Sequence, residues 1–242
     1  MSSLSLKRTH AEVSGVNQEE GNKKTRQIPH VEGNWPSFAY IEGTKFVTPA
    51  SCLVSAEDHH EVIERILEHI NASVCEKEDL QFKIITEESH GFNKCHVSLT
   101  KLFFLREFQI DPFVRDVRRA IKAKPFGITL SQPQIFTNED RSRSFCSILV
   151  QRGFNSVVQI IHQLDEVLRK YQKEVYYDPP VPHCTVGSCL GDYSKQAKEM
   201  GMYGNEYQEI DEYDSDDEDM IEEDVETIHL SIGNRHFTIS LS

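Results

Sequence analysis

The chain has 242 residues, enough for one domain of ordinary size with a buried core, and its 39 Asp plus Glu against 26 Lys plus Arg leave a formal net charge of −13. Such a charge argues against a polyanionic partner until it is located: residues 206–226 carry 13 of the acids and no Lys or Arg, and the rest of the chain is formally neutral. A mean hydropathy of −0.48, with no apolar run near the ~20 residues that cross a bilayer, excludes a transmembrane helix.

The opening, MSSLSLKRTHAEVSG, has no apolar stretch of the secretory kind, so an intracellular setting with reduced cysteines is expected for the 6 Cys, none of them in a CxxC pair. Residues 1–27 are polar and poor in aromatics, a composition that cannot offset the entropy of ordering, and are expected to be a disordered tail. Lys7-Arg8 and Lys23-Lys24-Thr25-Arg26 on that tail suit nuclear import.

One folded domain is expected over 28–242. Ser55 and Asp58 offer a helix N-cap, and Val62, Ile63, Ile66, Leu67 and Ile70 at helical spacing predict a helix over 56–71. His59-His60 in its first turn reads as solvated, not as metal ligands. Extended segments are predicted at 81–86 and 94–99. Asp111-Pro112 predicts the start of a second helix, to 122, with Phe113, Val114, Val117 and Ile121 on its buried face and Arg115, Arg118, Arg119 and Lys122 on the other.

Strands are predicted at 126–137 and 144–151 around the polar turn Asn138-Glu139-Asp140-Arg141, then a helix over 155–173. A proline-rich loop, 178–182, leads into a short strand at 183–186. The acidic stretch, about 203–226, is expected to be a disordered insert, and the remainder reads as a hairpin turning at Gly233-Asn234. Helices and strands mix without regular alternation, so the class is α+β.

One pattern occurs twice, as His96-Val97-Ser98 and as His183-Cys184-Thr185. In a strand, residues i and i+2 share a face, so each copy presents an imidazole beside a hydroxyl. Two such strands facing each other make a site suited to general acid–base attack at phosphorus. Cleavage of RNA by its own 2′-hydroxyl needs a base for that proton and an acid for the departing 5′-oxygen, and histidine titrates near enough to neutrality for either. Ser98 and Thr185 can donate to non-bridging oxygens, whose charge grows in the transition state. The scheme calls for no metal and no cofactor.

The paired His-x-[Ser/Thr] motifs resemble the two-histidine (2H) phosphoesterase superfamily. Within it the chain is similar to the RNA phosphodiesterases that trim the uridine-rich 3′ end of U6 small nuclear RNA. The resemblance rests also on Ile28-Pro29-His30-Val31-Glu32-Gly33-Asn34-Trp35, Ile135-Phe136-Thr137-Asn138, Arg143-Ser144-Phe145, Tyr176-Tyr177-Asp178-Pro179-Pro180 and Gly233-Asn234-Arg235-His236-Phe237.

It implies that His96 and His183 are the catalytic pair, that Ser98 and Thr185 contact phosphate, and that Tyr177 stacks on the terminal base while Val181 and Cys184 line the nucleotide pocket. Thr185 stands where family members carry Ser, a change that keeps the hydroxyl. It implies two pseudo-symmetric lobes of antiparallel sheet with outer helices around a central groove, and a nuclear, monomeric 3′-to-5′ exonuclease that leaves a 2′,3′-cyclic phosphate, either kept or opened to a monophosphate. Two other readings stand beside it: an enzyme that opens cyclic ends without shortening chains, and a non-catalytic module that holds an RNA end.

Overall fold

The computed structural model of the chain describes residues 33–45, 56–74, 81–85, 94–204 and 220–242. The expected tail at 1–27, the start at Ile28, the Ser55 cap and residues 205–219 of the acidic stretch lie outside them. Gly33–Ser242 group as one unit. In chain order the described elements are β1 (Trp35–Lys45), α1 (Ala56–Val74), β2 (Lys83–Ile84), β3 (Lys94–Ser98), β4 (Phe103–Leu105), α2 (Glu107–Ala120), β5 (Phe126–Thr137), β6 (Arg143–Val150), α3 (Phe154–Lys170), β7 (His183–Leu190), α4 (Ser194–Glu199), β8 (Ile221–Val225), β9 (Thr227–Ile232) and β10 (Arg235–Ser240).

The strands form one antiparallel sheet in the order β10-β9-β1-β3-β7-β6-β5-β8, with β4 added beside β1 and β2 beside β7. The two expected lobes are therefore the two halves of a single sheet. They join where β3 meets β7, at the residue pair Val97 and Cys184.

Helical stripes cover one face of the sheet. On α1 the residues Val62, Ile63, Ile66, Leu67, Ile70 and Val74 are buried, and Leu67 reaches β7 at Gly187, where an added Cβ would come within 2.6 Å of the leucine Cδ2. Asn71 fixes the end of that helix to the chain before β2: its Nδ2 donates to the Phe82 carbonyl and its Oδ1 accepts from the Phe82 N–H. Thus α1 backs the seam as well as the first half, whereas the sequence assigns it to the first lobe alone.

The second helix begins at Glu107, ahead of the expected Asp111-Pro112. Gln109 Oε1 accepts from the Arg106 N–H at 2.9 Å, a side-chain cap that starts the helix without Asp111. Pro112 lies inside, and its missing N–H removes the donor that would reach the carbonyl of Phe108, an exposed residue. Phe113 of α2 packs on Phe103 of β4 at 5.2 Å and meets Tyr171, just past α3, edge-on at 5.1 Å. Along α3, Val157, Ile160, Ile161, Leu164, Val167 and Leu168 are buried.

The expected insert ends sooner than the sequence suggests. Ile221–Val225, read as part of an acidic run, form β8 and pair with β5 from Leu130↔Ile221 to Phe126↔Val225. Ile221 and Val225 are 4 % and 2 % exposed while the acids between them face outward or sit half-buried, so two apolar anchors hold a strand that is otherwise charge. The hairpin of β9 and β10 turns at Gly233-Asn234 as expected. Gly233 sits at φ +59°, and a Cβ there would lie 2.3 Å from the Trp35 ring, so both conformation and space demand glycine.

Candidate active site

The seam determines the geometry of the site. Val97 and Cys184, directly opposite each other, are 3 % and 1 % exposed, so their side chains point into the core under the helices. Strand alternation then turns their neighbours to the other face, where His96, Ser98, His183 and Thr185 are all half-buried. Antiparallel register sets His96 opposite Thr185 and Ser98 opposite His183. A local two-fold axis through the Val97–Cys184 pair thus exchanges the two motifs. The imidazoles are diagonal neighbours across it, at a backbone separation of about 7–8 Å.

The rows continue outward. Ser98 pairs with Tyr40 on β1, which pairs with His229 on β9, and His96 pairs with Glu42. On the other side Thr185 pairs with Ser147 and His183 with Leu149 of β6. Ser147 Oγ and Thr185 Oγ1 share a hydrogen bond at 3.0 Å, which orients the threonine hydroxyl. The backbone is symmetric about the axis, and the surroundings of the two histidines are not.

His183 is held neutral. Its Nδ1 lies 2.7 Å from the Val181 carbonyl; a carbonyl can only accept, so Nδ1–H donates and the Nε2 lone pair is left for the groove. The ring stacks on Phe136 with centroids 4.3 Å apart and planes 19° from parallel. Burial pushes its pKa below the ordinary imidazole value and the nearby His96 adds to that, against the opposing pull of the Val181 carbonyl. His96 is braced instead by rings: Tyr40 meets it edge-on at 5.7 Å and Phe38 lies 6.3 Å away.

Tyr176 and Tyr177 divide as a packed and an open ring. Tyr176 is 5 % exposed, its N–H donates to the buried Asp165 carboxylate at 2.9 Å, and burial raises its phenol pKa far above normal. Tyr177 is 60 % exposed, with Tyr176 against its edge at 5.3 Å and Lys101 Nζ 4.5 Å from its centroid. Val181 contributes its carbonyl, which accepts from His183 and, at 3.4 Å, from the Tyr176 hydroxyl. Cys184 corrects the sequence reading: its side chain lies on the core face and cannot line a nucleotide pocket, because it is the pivot between the two groove-facing residues of its strand.

Several groove residues were not singled out from sequence. Phe136 belongs to the quoted segment Ile135–Asn138, but only the fold stacks it on His183. Gly204 backs it so closely that a Cβ would lie 2.4 Å from the Phe136 ring. Tyr40, Glu42 and Ser147 are recognisable only through strand register. The alternation of Phe38 and Tyr40 with Ala39 and Ile41 was the available signal for β1, and it runs against habit, since the aromatics face the groove and the aliphatics the core.

One strand thus carries a neutral imidazole with a bare nitrogen, the other carries a second imidazole, and a hydroxyl accompanies each. That set can pass one proton in and one proton out on opposite sides of a tetrahedral centre.

The chain is similar to the U6 snRNA phosphodiesterase 1 of Drosophila melanogaster, 28% identical over 225 residues that are 92% of this chain and 76% of that one. It is similar to the protein of the same name from Dictyostelium discoideum, 32% identical over 175 residues, 71% of this chain and 56% of that one. Its fold is that of Kluyveromyces marxianus Usb1, solved with uridine monophosphate, at a TM-score of 0.56 and 15% identity over 85% of this chain and 98% of that one. A family model described as "HVSL: Uncharacterised conserved protein" matches residues 2–240. The letters of its name are spelled by His96-Val97-Ser98-Leu99, the strand that supplies half of the site; with a match over nearly its whole length, the chain belongs to the HVSL family.

Proposed function

We propose that this protein is a metal-independent 3′-to-5′ RNA exonuclease that shortens the uridine-rich 3′ end of U6 snRNA and leaves a 2′,3′-cyclic phosphate. The observation that carries the reading is the two-fold seam, which makes His96 and His183 diagonal neighbours on one face of the sheet with a hydroxyl beside each. The shared name of the Drosophila and Dictyostelium relatives supports the RNA substrate. The uridine monophosphate in the Kluyveromyces structure supports uridine at the end. Both halves of the site come from one chain, which supports action as a monomer. The basic clusters Lys7-Arg8 and Lys23-Lys24-Thr25-Arg26 support work in the nucleus.

In this reading the terminal phosphodiester lies over the Val97–Cys184 pair. His183 Nε2 takes the proton of the penultimate 2′-hydroxyl, whose oxygen attacks phosphorus and closes the cyclic ester. The bond from phosphorus to the 5′-oxygen breaks, and His96 gives that oxygen its proton, so the terminal nucleoside leaves with a 5′-hydroxyl. Each proton transfer is worth roughly 10²- to 10⁴-fold in rate. Ser98 and Thr185 donate to the non-bridging oxygens as their charge grows. The assignment of His183 as base follows from its bare Nε2 and lowered pKa.

Tyr177 offers its ring to the terminal base. Tyr177→Ala is expected to raise KM on an oligouridine-tailed RNA by roughly 5- to 150-fold, the equivalent of about 1–3 kcal/mol of stacking, with kcat little changed; steady-state trimming kinetics measure it. The reading as a whole is tested by incubating the protein with such an RNA in EDTA. Trimming is expected there, and none on an otherwise identical RNA with hydrogen in place of the penultimate 2′-hydroxyl. Unshortened RNA in EDTA, or equal trimming of both substrates, would end the proposal.

A further inference from the structure

The two histidines share a backbone frame and differ in what stands behind them. Opposite His183 on β6 is Leu149, an apolar residue 3 % exposed. Opposite His96 on β1 is Glu42, on the same face and therefore with Cβ atoms about 4.5–5.5 Å apart. Glu42 Oε2 lies 3.9 Å from Nε2 of His229, a third imidazole, whose Nε2 is also 3.1 Å from Thr227 Oγ1. Tyr40 lies between Phe38 at 5.2 Å and His229 at 5.4 Å, near-parallel to both, and turns its edge to His96. The result is a braced row on β1 and β9 with one carboxylate at the level of His96.

We propose that Glu42 is a positioning residue for His96: its carboxylate holds that imidazole in the charged, proton-donating form, while the Phe38–Tyr40–His229 stack fixes the ring's place. The reasoning is electrostatic. An opposite charge within a few ångströms favours the protonated imidazole, and a buried apolar neighbour does the reverse. Two histidines related by symmetry in the backbone are thereby driven to opposite protonation states, as a base and an acid working in one turnover require. Among the described residues, the titratable groups placed around His96 are Glu42 opposite it and Tyr40 edge-on to it from β1, His229 behind Tyr40 on β9, and His183 from β7. Glu42 is the one carboxylate among them, and the histidines oppose it, so its removal should lower the proton affinity of His96. The inference rests on the reading of His96 as the acid.

The experiment is an NMR titration of the histidine ring signals in the full protein and in Glu42→Gln, with the His96 resonance assigned by its loss in His96→Gln, alongside the pH dependence of trimming. Glu42→Gln is expected to move the His96 titration to lower pH by about half a unit to one unit, to move the alkaline limb of the rate profile with it, and to leave the limb set by His183 in place; Glu42→Asp should recover most of both shifts. An unmoved His96 titration, with only His229 responding, would overturn the proposal and mark Glu42 as a partner of His229 alone. A shifted His96 titration with an unmoved alkaline limb would uphold the coupling and overturn the acid role of His96 instead. Thermal unfolding of each variant shows that the fold is intact.

Discussion

Replacing His96 or His183 with alanine is expected to lower the trimming rate by roughly 10²- to 10⁴-fold each, the usual worth of one positioned proton transfer. Both side chains are half-buried on the groove face, and neither anchors the core, which runs through Val97 and Cys184 between them. The unfolding temperature should therefore change little while activity falls, and that pairing of results separates a catalytic role from a structural one. With His183 as the base, kcat/KM of the intact protein is expected to rise with pH as that residue loses its proton. Burial and His96 hold the His183 pKa below the ordinary imidazole value, so this limb is expected below about pH 6.5. As the proposed base His183 acts when neutral, so the rate should be lost as pH falls through its pKa, and a second limb at higher pH should report loss of the proton from His96. Rates measured across pH in EDTA test both limbs.

The second large effect comes from a residue that touches no substrate. Gly204 has no room for a methyl group, since a Cβ there would meet three ring carbons of Phe136 at 2.4 to 2.7 Å. Phe136 cannot retreat toward the groove without leaving or pushing His183, on which it stacks at 4.3 Å. Gly204→Ala should therefore displace the base by a few tenths of an ångström or more, and a misplacement approaching 1 Å can cost on the order of 10²-fold in rate. Because Nε2 moves relative to the 2′-hydroxyl, kcat should fall more than KM rises. A compensating Phe136→Leu in the same chain removes the clash and should recover part of the loss. Unchanged trimming by Gly204→Ala would mean that the stack does not set the position of His183.

The fold was legible in the sequence wherever apolar periodicity was undisturbed. The stripes of α1 and α3, the strands around Asn138–Arg141 and the closing hairpin all stand where the spacing puts them. It was illegible where another signal covered the pattern. In Ile221–Val225 three consecutive acids hide two buried anchors, so the sequence there reads as insert. At the start of α2 the Asp111-Pro112 pair looked like a helix entrance, yet Gln109 caps the chain one turn earlier. In β1 the larger rings face the groove, so its alternation did not mark a buried face in the usual sense.

For the site, the repeated His-x-[Ser/Thr] motif identified the four groove residues because a two-residue period is all that such a placement requires. What the sequence could not provide was register. Only the pairing of Val97 with Cys184 reveals that each histidine stands across from the other strand's hydroxyl, that Cys184 points away, and that Glu42 and Leu149 differ at equivalent positions.

A substrate with sulfur in place of the scissile 5′-oxygen tests the division of labour between the two histidines most directly. A thiol is far more acidic than an alcohol, with a pKa near 8.5, so a thiolate can depart without being protonated, and a missing acid no longer matters. On this substrate His96→Ala should trim at close to the rate of the intact protein, and His183→Ala should remain as defective as on ordinary RNA. Rescue of His183→Ala with no rescue of His96→Ala would reverse the assignment, and rescue of neither would contradict general acid catalysis by this pair.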